Sequence, residues 1–369
     1  MKGNLQDWIS LYLTPGLGST WCIRLVDYFG GPQEVFKATL KDFQQISGLR
    51  KNAAAALAAG PDLVRVEAEI KRAKKSGVSI IPLHDSSYPS RLREIHNPPF
   101  LLYVKGDPAV LDQASVGIVG ARAATIYGQR IAHDLATRLS RRGLSIVSGL
   151  ALGIDTAAHQ GTLSAVGRTV AVLGCGLDVV YPPRNRKLYD QIPVNGALVS
   201  EYPFGTKPDG FRFPARNRII SGLCLGIVVV EAASRSGSLI TAELALDQGR
   251  EVFAVPGRID SSKSEGSHRL LQEGAKLVHT VQDIIEELPW SGPQHVSQAE
   301  KKQSKGGQVL SEEERRLFTF LDIYPMTVDE IITKSGFPAH KVSELLLMLE
   351  LKGVVEALPG KQFHKKEES

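Results

Sequence analysis

The sequence predicts an α/β fold: a parallel sheet covered by helices, preceded by an all-helical domain and followed by a small helical unit closed by a hairpin. Three observations predict the sheet. Between Ser115 and Thr280, short runs of Val, Ile, Leu and Ala open at Ser115, Leu144, Thr169, Gly226 and Glu251. The runs lack the apolar–polar alternation of a half-exposed strand, so each reads as a strand buried on both faces. Each run then breaks at Gly, Ser or Pro, and most pass into a helical pattern, the alternation expected of a parallel α/β sheet.

Composition bounds the rest. The 369 residues suffice for two or three domains, and 43% hydrophobic with 22% charged residues is ordinary for a soluble globular chain. A net charge of +5 leans toward a polyanionic partner. The three cysteines, Cys22, Cys175 and Cys224, sit in apolar surroundings and read as core residues. Their odd number and spacing argue against disulfides and metal sites and suit a reducing cytosol. No apolar run approaches the roughly 18 residues of a membrane span, and the first residues lack a signal core. A cytoplasmic protein with no membrane partner is expected.

In chain order, residues 1–76 read as helical. Leu5–Leu13, a turn at Thr14-Pro15-Gly16-Leu17-Gly18 and a helix from Ser19 to Phe29 form one unit. Leu40–Ile46, the turn Ser47-Gly48-Leu49-Arg50 and Asn52–Ala59 form another. The Gly-hydrophobic-Gly turn resembles the helix-hairpin-helix motif, whose backbone amides hold a DNA phosphate. The second turn departs from it at Arg50. A plain packing domain with Gly-closed turns fits the pattern equally. The helix Asp62–Ser76 carries Arg65, Lys71, Arg72, Lys74 and Lys75, offset by Glu67 and Glu69, and reads mainly as a solvated face. Val78–Pro82 and the Pro-flanked run ending at Val104 add a strand, a helix and a further strand before the main repeat.

The core spans residues 77–288. In parallel α/β sheets, ligands sit beyond the carboxyl ends of the strands. Those ends here carry Gly120-Ala121-Arg122, Ser148-Gly149 to Gly153, Gly174, Gly176, Ser236-Gly237-Ser238 and Pro256-Gly257-Arg258. Small residues, backbone amides and arginines on one rim are suited to phosphate. A dinucleotide cofactor is not expected: the first turn lacks the third Gly of G-x-G-x-x-G, and no acid closes the second strand. Asp155 reads as a cap or an arginine's partner. Asp155 and His159 share a helix face and are expected to form a buried structural hydrogen bond, since no nucleophile or metal set accompanies them. From Ser200 to Ile220, Lys207, Arg212, Arg216 and Arg218 interleave with Phe204, Phe211 and Phe213, and Asn217 lies among them. Cations neutralise phosphates while rings stack on exposed bases, the mixture of a single-strand binder. One of Phe211 and Phe213 is expected to be a core plug.

Residues 289–309 read as a linker. Over 310–369, Ser311 with Glu314 and Thr327 with Glu330 form two capping boxes. Three helices and a hairpin turning at Pro359-Gly360 make a winged helix. Its third helix exposes His340, Lys341, Ser343, Glu344 and Glu350, a mixed charge poorly suited to a DNA groove. A protein contact or an accessory role is expected of it.

These motifs together resemble the DNA-processing protein A (DprA/Smf) family over nearly the whole chain. They are Val119-Gly120-Ala121-Arg122, Ser148-Gly149 to Gly153-Ile154-Asp155, Phe213-Pro214-Ala215-Arg216-Asn217-Arg218-Ile219-Ile220, Ser236-Gly237-Ser238 and Pro256-Gly257. The resemblance implies an extended Rossmann-like core and a role without catalysis or cofactor. It implies binding of single-stranded DNA, loading of the RecA recombinase during natural transformation and recombination, and a homodimer formed through the core. It also implies that Arg122 binds phosphate and that Lys207 and Phe211 lie in the DNA-binding pocket loop. The family's first turn more often reads Gly-Ser-Arg, so Ala121 removes one hydroxyl donor. The alternative is a nucleoside-monophosphate hydrolase of the lysine-decarboxylase-like fold. The loop Ala233–Leu239, however, lacks that fold's double Gly and its catalytic grouping, with Glu243 further on.

Overall fold

A computed structural model describes residues 3–290, 310–322, 326–358, 360 and 362–365. The chain divides into two compact units, Met1–Pro293 and Gln294–Ser369.

The first unit is built on nine strands: β1 (Val78–Pro82), β2 (Leu101–Gly106), β3 (Ser115–Val119), β4 (Ser145–Ser148), β5 (Thr169–Leu173), β6 (Ala197–Ser200), β7 (Gly226–Val229), β8 (Glu251–Ala254) and β9 (Lys276–Leu277). Their order across the sheet is β1-β2-β6-β5-β4-β3-β7-β8-β9. β1–β2 and β2–β6 are antiparallel, and the other pairings are parallel. Strands β3 to β7 are buried along their whole length, as their unbroken apolar runs require. The chain runs outward from β3 through β4, β5 and β6, then returns to place β7 on the other side of β3. That reversal opens a crevice between the carboxyl ends of β3 and β7, with Val119 registered against Val229.

Successive side chains point to opposite faces. Val119, Val147, Val172, Val199 and Val229 pack on one face with Ile219 and Leu239 of the helices Arg212–Leu223 and Gly237–Asp247. Ile118, Ile146 and Val228 pack on the other with the helices Ile126–Arg141 and Ile154–Ser164. Farther along that second face, Leu101, Tyr103 and Leu198 share a core with Trp8, Ile9 and Leu25 of the helices Leu5–Leu13 and Ser19–Phe29. The helices expected as a separate domain over 1–76 thus complete the cover of the sheet, and they belong to the same compact unit. The three cysteines are buried and unpaired.

The second unit packs the helices Glu312–Phe320, Val328–Ser335 and Ala339–Leu351 around Leu317, Ile331, Val342 and Leu349. A three-stranded sheet of Met326–Thr327, Gln362–Lys365 and Val355–Leu358 closes it. Both capping boxes form: Ser311 N–H donates to Glu314 at 2.6 Å, and Thr327 N–H donates to Glu330 at 2.8 Å. On the third helix Lys341 is held by Glu313 at 2.9 Å and Glu344 at 3.4 Å, so no positive face results. Leu347, Met348 and Leu351 are exposed beside it. Of the expected linker, residues 291–309 lie outside the described residues, as does Pro359 of the hairpin turn.

Candidate nucleic-acid interface

A cleft of about 380 Å³ lies at the β3/β7 crevice, lined by Gly120, Arg122, Asp155, Phe213, Arg216, Asn217 and the turn Ser236–Ser238. The carboxyl end of β3 supplies Arg122. The loop that carries it is pinned from both sides. Ala121 N–H donates to the Glu231 carbonyl at 2.7 Å, and Ile154 N–H donates to the Ala121 carbonyl at 3.3 Å. Gly153 permits that approach: a Cβ there would fall 2.3 Å from the Ala121 carbonyl oxygen, and its φ is +78°.

The Glu231 carboxylate accepts from Thr125 N–H at 2.9 Å and lies 3.2 Å from the Thr125 hydroxyl. Thr125 is the N-cap of the helix Ile126–Arg141. A dinucleotide pyrophosphate would need this helix N-terminus, and the protein's own carboxylate fills it.

Arg122 is exposed, and its guanidinium carbon stands 5.2 Å from the centroid of the Phe213 ring. Phe213 stacks in turn on Tyr181 at 5.5 Å with an interplanar angle of 29°. Arg216 lies behind this row, only 5% exposed. It donates to the carbonyls of Gly149, at 2.8 Å, and Val172. Burial lowers its pKa to about 10; Asp155 opposes that shift and Arg122 reinforces it. Arg216 remains a cation at neutral pH, and its repulsion with Arg122 leaves the cleft disposed to accept negative charge.

Several of the expected rim residues are engaged by contacts within the fold. The Ser148 hydroxyl is fully buried and donates to the Ile118 carbonyl at 2.6 Å. Gly149 N–H donates to the Asp155 carboxylate at 3.1 Å, and a Cβ at Gly149 would fall 2.4 Å from Arg216 Nη2. Ser148, Gly149 and Gly153 thus support the rim from behind, because nearby acceptors and close packing already engage them. Arg218 forms a two-pronged ion pair with Glu201, both bonds 2.7 Å, and is committed to the fold. Asp155 and His159 do not bond to each other. Asp155 caps the amides of Gly149 and Ala151, while His159 Nδ1 lies 2.7 Å from the Thr169 hydroxyl.

Of the remaining expected residues, Asn217 and Ser236–Ser238 line the cleft, whereas Lys207, Phe211 and Arg212 do not. Asn217 donates to the Gly237 carbonyl at 3.3 Å, which ties the middle of the helix Arg212–Leu223 to the start of the helix Gly237–Asp247. The Ser236 and Ser238 hydroxyls lie 2.7 Å apart at the start of the helix Gly237–Asp247, and Gly237 is exposed. Lys207 is exposed, and its carbonyl accepts from Arg212 at 2.6 Å. The Arg212 guanidinium stands 5.5 Å from the Tyr202 ring centroid and 4.9 Å from that of Phe211. Phe211 is 66% exposed and Phe213 half-buried, so neither is a core plug; Phe204 fills that role. Tyr181 and Glu231 were not expected at the site. An aromatic after β5 in a Pro-rich turn, and an acid directly after the apolar run of β7, were the available signals.

Among the described residues no group of three or more His, Cys, Asp and Glu could hold a metal ion, and no helix is long and apolar enough to cross a membrane.

Comparison with known proteins places this geometry. The chain is 44% identical to the DNA processing protein DprA of Bacillus subtilis over 230 residues, covering 62% of this chain and 76% of that protein. It is similar to the solved structure of DNA processing protein A from Streptococcus pneumoniae, with TM-score 0.71 and 39% identity, covering 79% of this chain and all of that one. It is also similar to the Helicobacter pylori DNA processing protein A, in a structure described as giving insight into a unique single-stranded DNA binding mode. There the TM-score is 0.52 and the identity 33%, covering 57% of this chain and 94% of that one. Residues 301–361 match the DprA winged helix domain. Residues 79–289, which carry the whole cleft, match DNA recombination-mediator protein A, and the chain belongs to that family.

Proposed function

We propose that this chain binds single-stranded DNA along the β3/β7 cleft and delivers it to a RecA recombinase, acting as a homodimer in recombination and DNA uptake. The observation that carries the reading is the Arg122–Phe213 pair, with Arg216 charged behind it. A phosphate meets the guanidinium, and an unpaired base meets an aromatic face. A duplex hides its base faces and gains little from the rings. Recombinase delivery, the dimer and DNA uptake are supported by family membership alone.

The role is binding rather than catalysis. Asp155, the carboxylate lining the cleft, is already engaged by two backbone amides. The hydrolase alternative is not favoured: Glu243 does not line the cleft and faces Arg269 at 3.9 Å.

Equilibrium binding of single-stranded against double-stranded oligonucleotides, across a salt series, tests the reading. Preference for the single strand, with affinity falling as salt rises, is expected. Equal affinity for both forms, or no binding of either, overturns it.

A further inference from the structure

A second, larger groove of about 660 Å³ lies beside the first. The start of the helix Arg212–Leu223 is the ridge between them. Gly210, Phe213 and Pro214 face the β3/β7 cleft, while Phe211, Arg212 and Ala215 face the second groove. Its other wall is the turn Thr14–Gly18 with Arg65. The two grooves therefore lie on opposite sides of one ridge of six residues.

We propose that the second groove carries the continuation of the same DNA strand, making the N-terminal helices part of the binding surface. The inference rests on the reading that the first cleft takes single-stranded DNA. Charge favours it. Arg65, Arg212 and Arg218 line the groove against a single carboxylate, Glu201, and both oxygens of Glu201 accept from Arg218. Arg65 and Arg212 remain as the excess. Arg65 is exposed, and Nη1 donates to the Leu13 carbonyl at 3.3 Å, which holds the guanidinium at the edge of the turn.

Stacking favours a nucleic acid over a simple anion. The Phe211 ring stands exposed with Arg212 over it, and the Tyr202 ring lies 5.5 Å from the same guanidinium. Aromatic faces beside a guanidinium suit unpaired bases between successive phosphates. The turn itself places no charged side chain in the groove from Thr14 to Gly18, so a backbone of phosphates meets no repulsion there.

The test compares oligothymidylates of about 6 and about 20 nucleotides, one near the lower end of the roughly 4–16 nucleotides that a single-strand-binding OB-fold occupies and one beyond its upper end. Arg65→Glu reverses the charge in the first turn of its helix, where an acid favours the helix dipole, and an unchanged circular dichroism spectrum and melting temperature check that the fold survives loss of the Leu13 contact. The long strand is expected to bind about tenfold more weakly to R65E, the loss of one charged contact, while the short strand binds as before. Arg65→Lys should retain most of the long-strand affinity. Equal losses for both lengths, or no loss for either, overturn the proposal. Failure of the unaltered protein to bind either length overturns the first-cleft reading instead.

Discussion

Arg122 stands 5.2 Å from the centroid of the Phe213 ring although the two residues are ninety-one positions apart in sequence. One projects from the end of β3 and the other from the first turn of the helix Arg212–Leu223. The pair places a cation and an aromatic face at the mouth of a single cleft, and their contributions to binding should be separable. Arg122→Ala should weaken single-strand binding by about 1–3 kcal/mol and reduce the salt slope by about 0.7. Phe213→Ala should weaken it by a comparable amount and leave the salt slope intact. Titrations at several salt concentrations check both. An unchanged affinity for Arg122→Ala would remove Arg122 from the interface.

Arg216 supports the cleft from behind, and its loss should act first on stability. Arg216→Met leaves Asp155 buried beside an apolar chain, so a cost of about 3–5 kcal/mol at neutral pH is expected. Burial already holds the Asp155 carboxyl above its ordinary 3.8, and Arg216 draws it partly back. Removing the guanidinium raises it further. A raised folded-state value favours the fold at low pH, and that contribution is lost as pH climbs through it. The deficit of the variant should therefore shrink as pH falls toward 3.8. Urea denaturation at several pH values measures it, and a deficit that grows on acidification contradicts the assignment.

His159 should make the fold acid-sensitive. The Thr169 hydroxyl donates its one hydrogen to the Ile146 carbonyl at 2.8 Å, so it accepts from His159 Nδ1–H. Nε2 is then a buried lone pair without a hydrogen-bond partner. Protonating it would bury a charge near Arg216, and burial first, then Arg216, lowers its pKa from 6.5 to about 3. A depressed histidine contributes stability above its unfolded value and loses it as pH falls. The loss is about 1.4 kcal/mol per pH unit below 6.5, continuing toward about 3. His159→Gln should flatten the slope of stability against pH between those values; an unchanged slope would assign the acid sensitivity elsewhere.

The second compact unit should be dispensable for strand affinity. Its third helix presents a lysine held by two glutamates, with exposed Leu347, Met348 and Leu351. Such a surface offers little to phosphates. Deleting residues 306–369 should leave single-strand affinity within about twofold, under roughly 0.5 kcal/mol. Loss of nearly all binding on deletion would place the site in the winged helix.

The sequence by itself determined the strands, the helix starts and the positions of the rim. Unbroken apolar runs at Ser115–Val119 and Thr169–Leu173 have one stable environment, the middle of a covered sheet, and capping boxes such as Ser311 with Glu314 need only neighbours three residues apart. Such signals are local and therefore legible. Tertiary structure decided which rim groups remain open to a ligand. Ser148 finds its acceptor thirty residues earlier at Ile118, Arg218 is captured by Glu201, and Glu231 reaches back to Thr125 across the switch point. The pairing of β4 with β3, the packing of the helix Arg212–Leu223 beside the end of β6, and the return of β7 to the other side of β3 bring these groups together in turn, and a buried polar group takes whichever partner packing sets beside it. The same packing leaves Arg122, Phe211 and Phe213 unclaimed by the core, and so free to meet a strand.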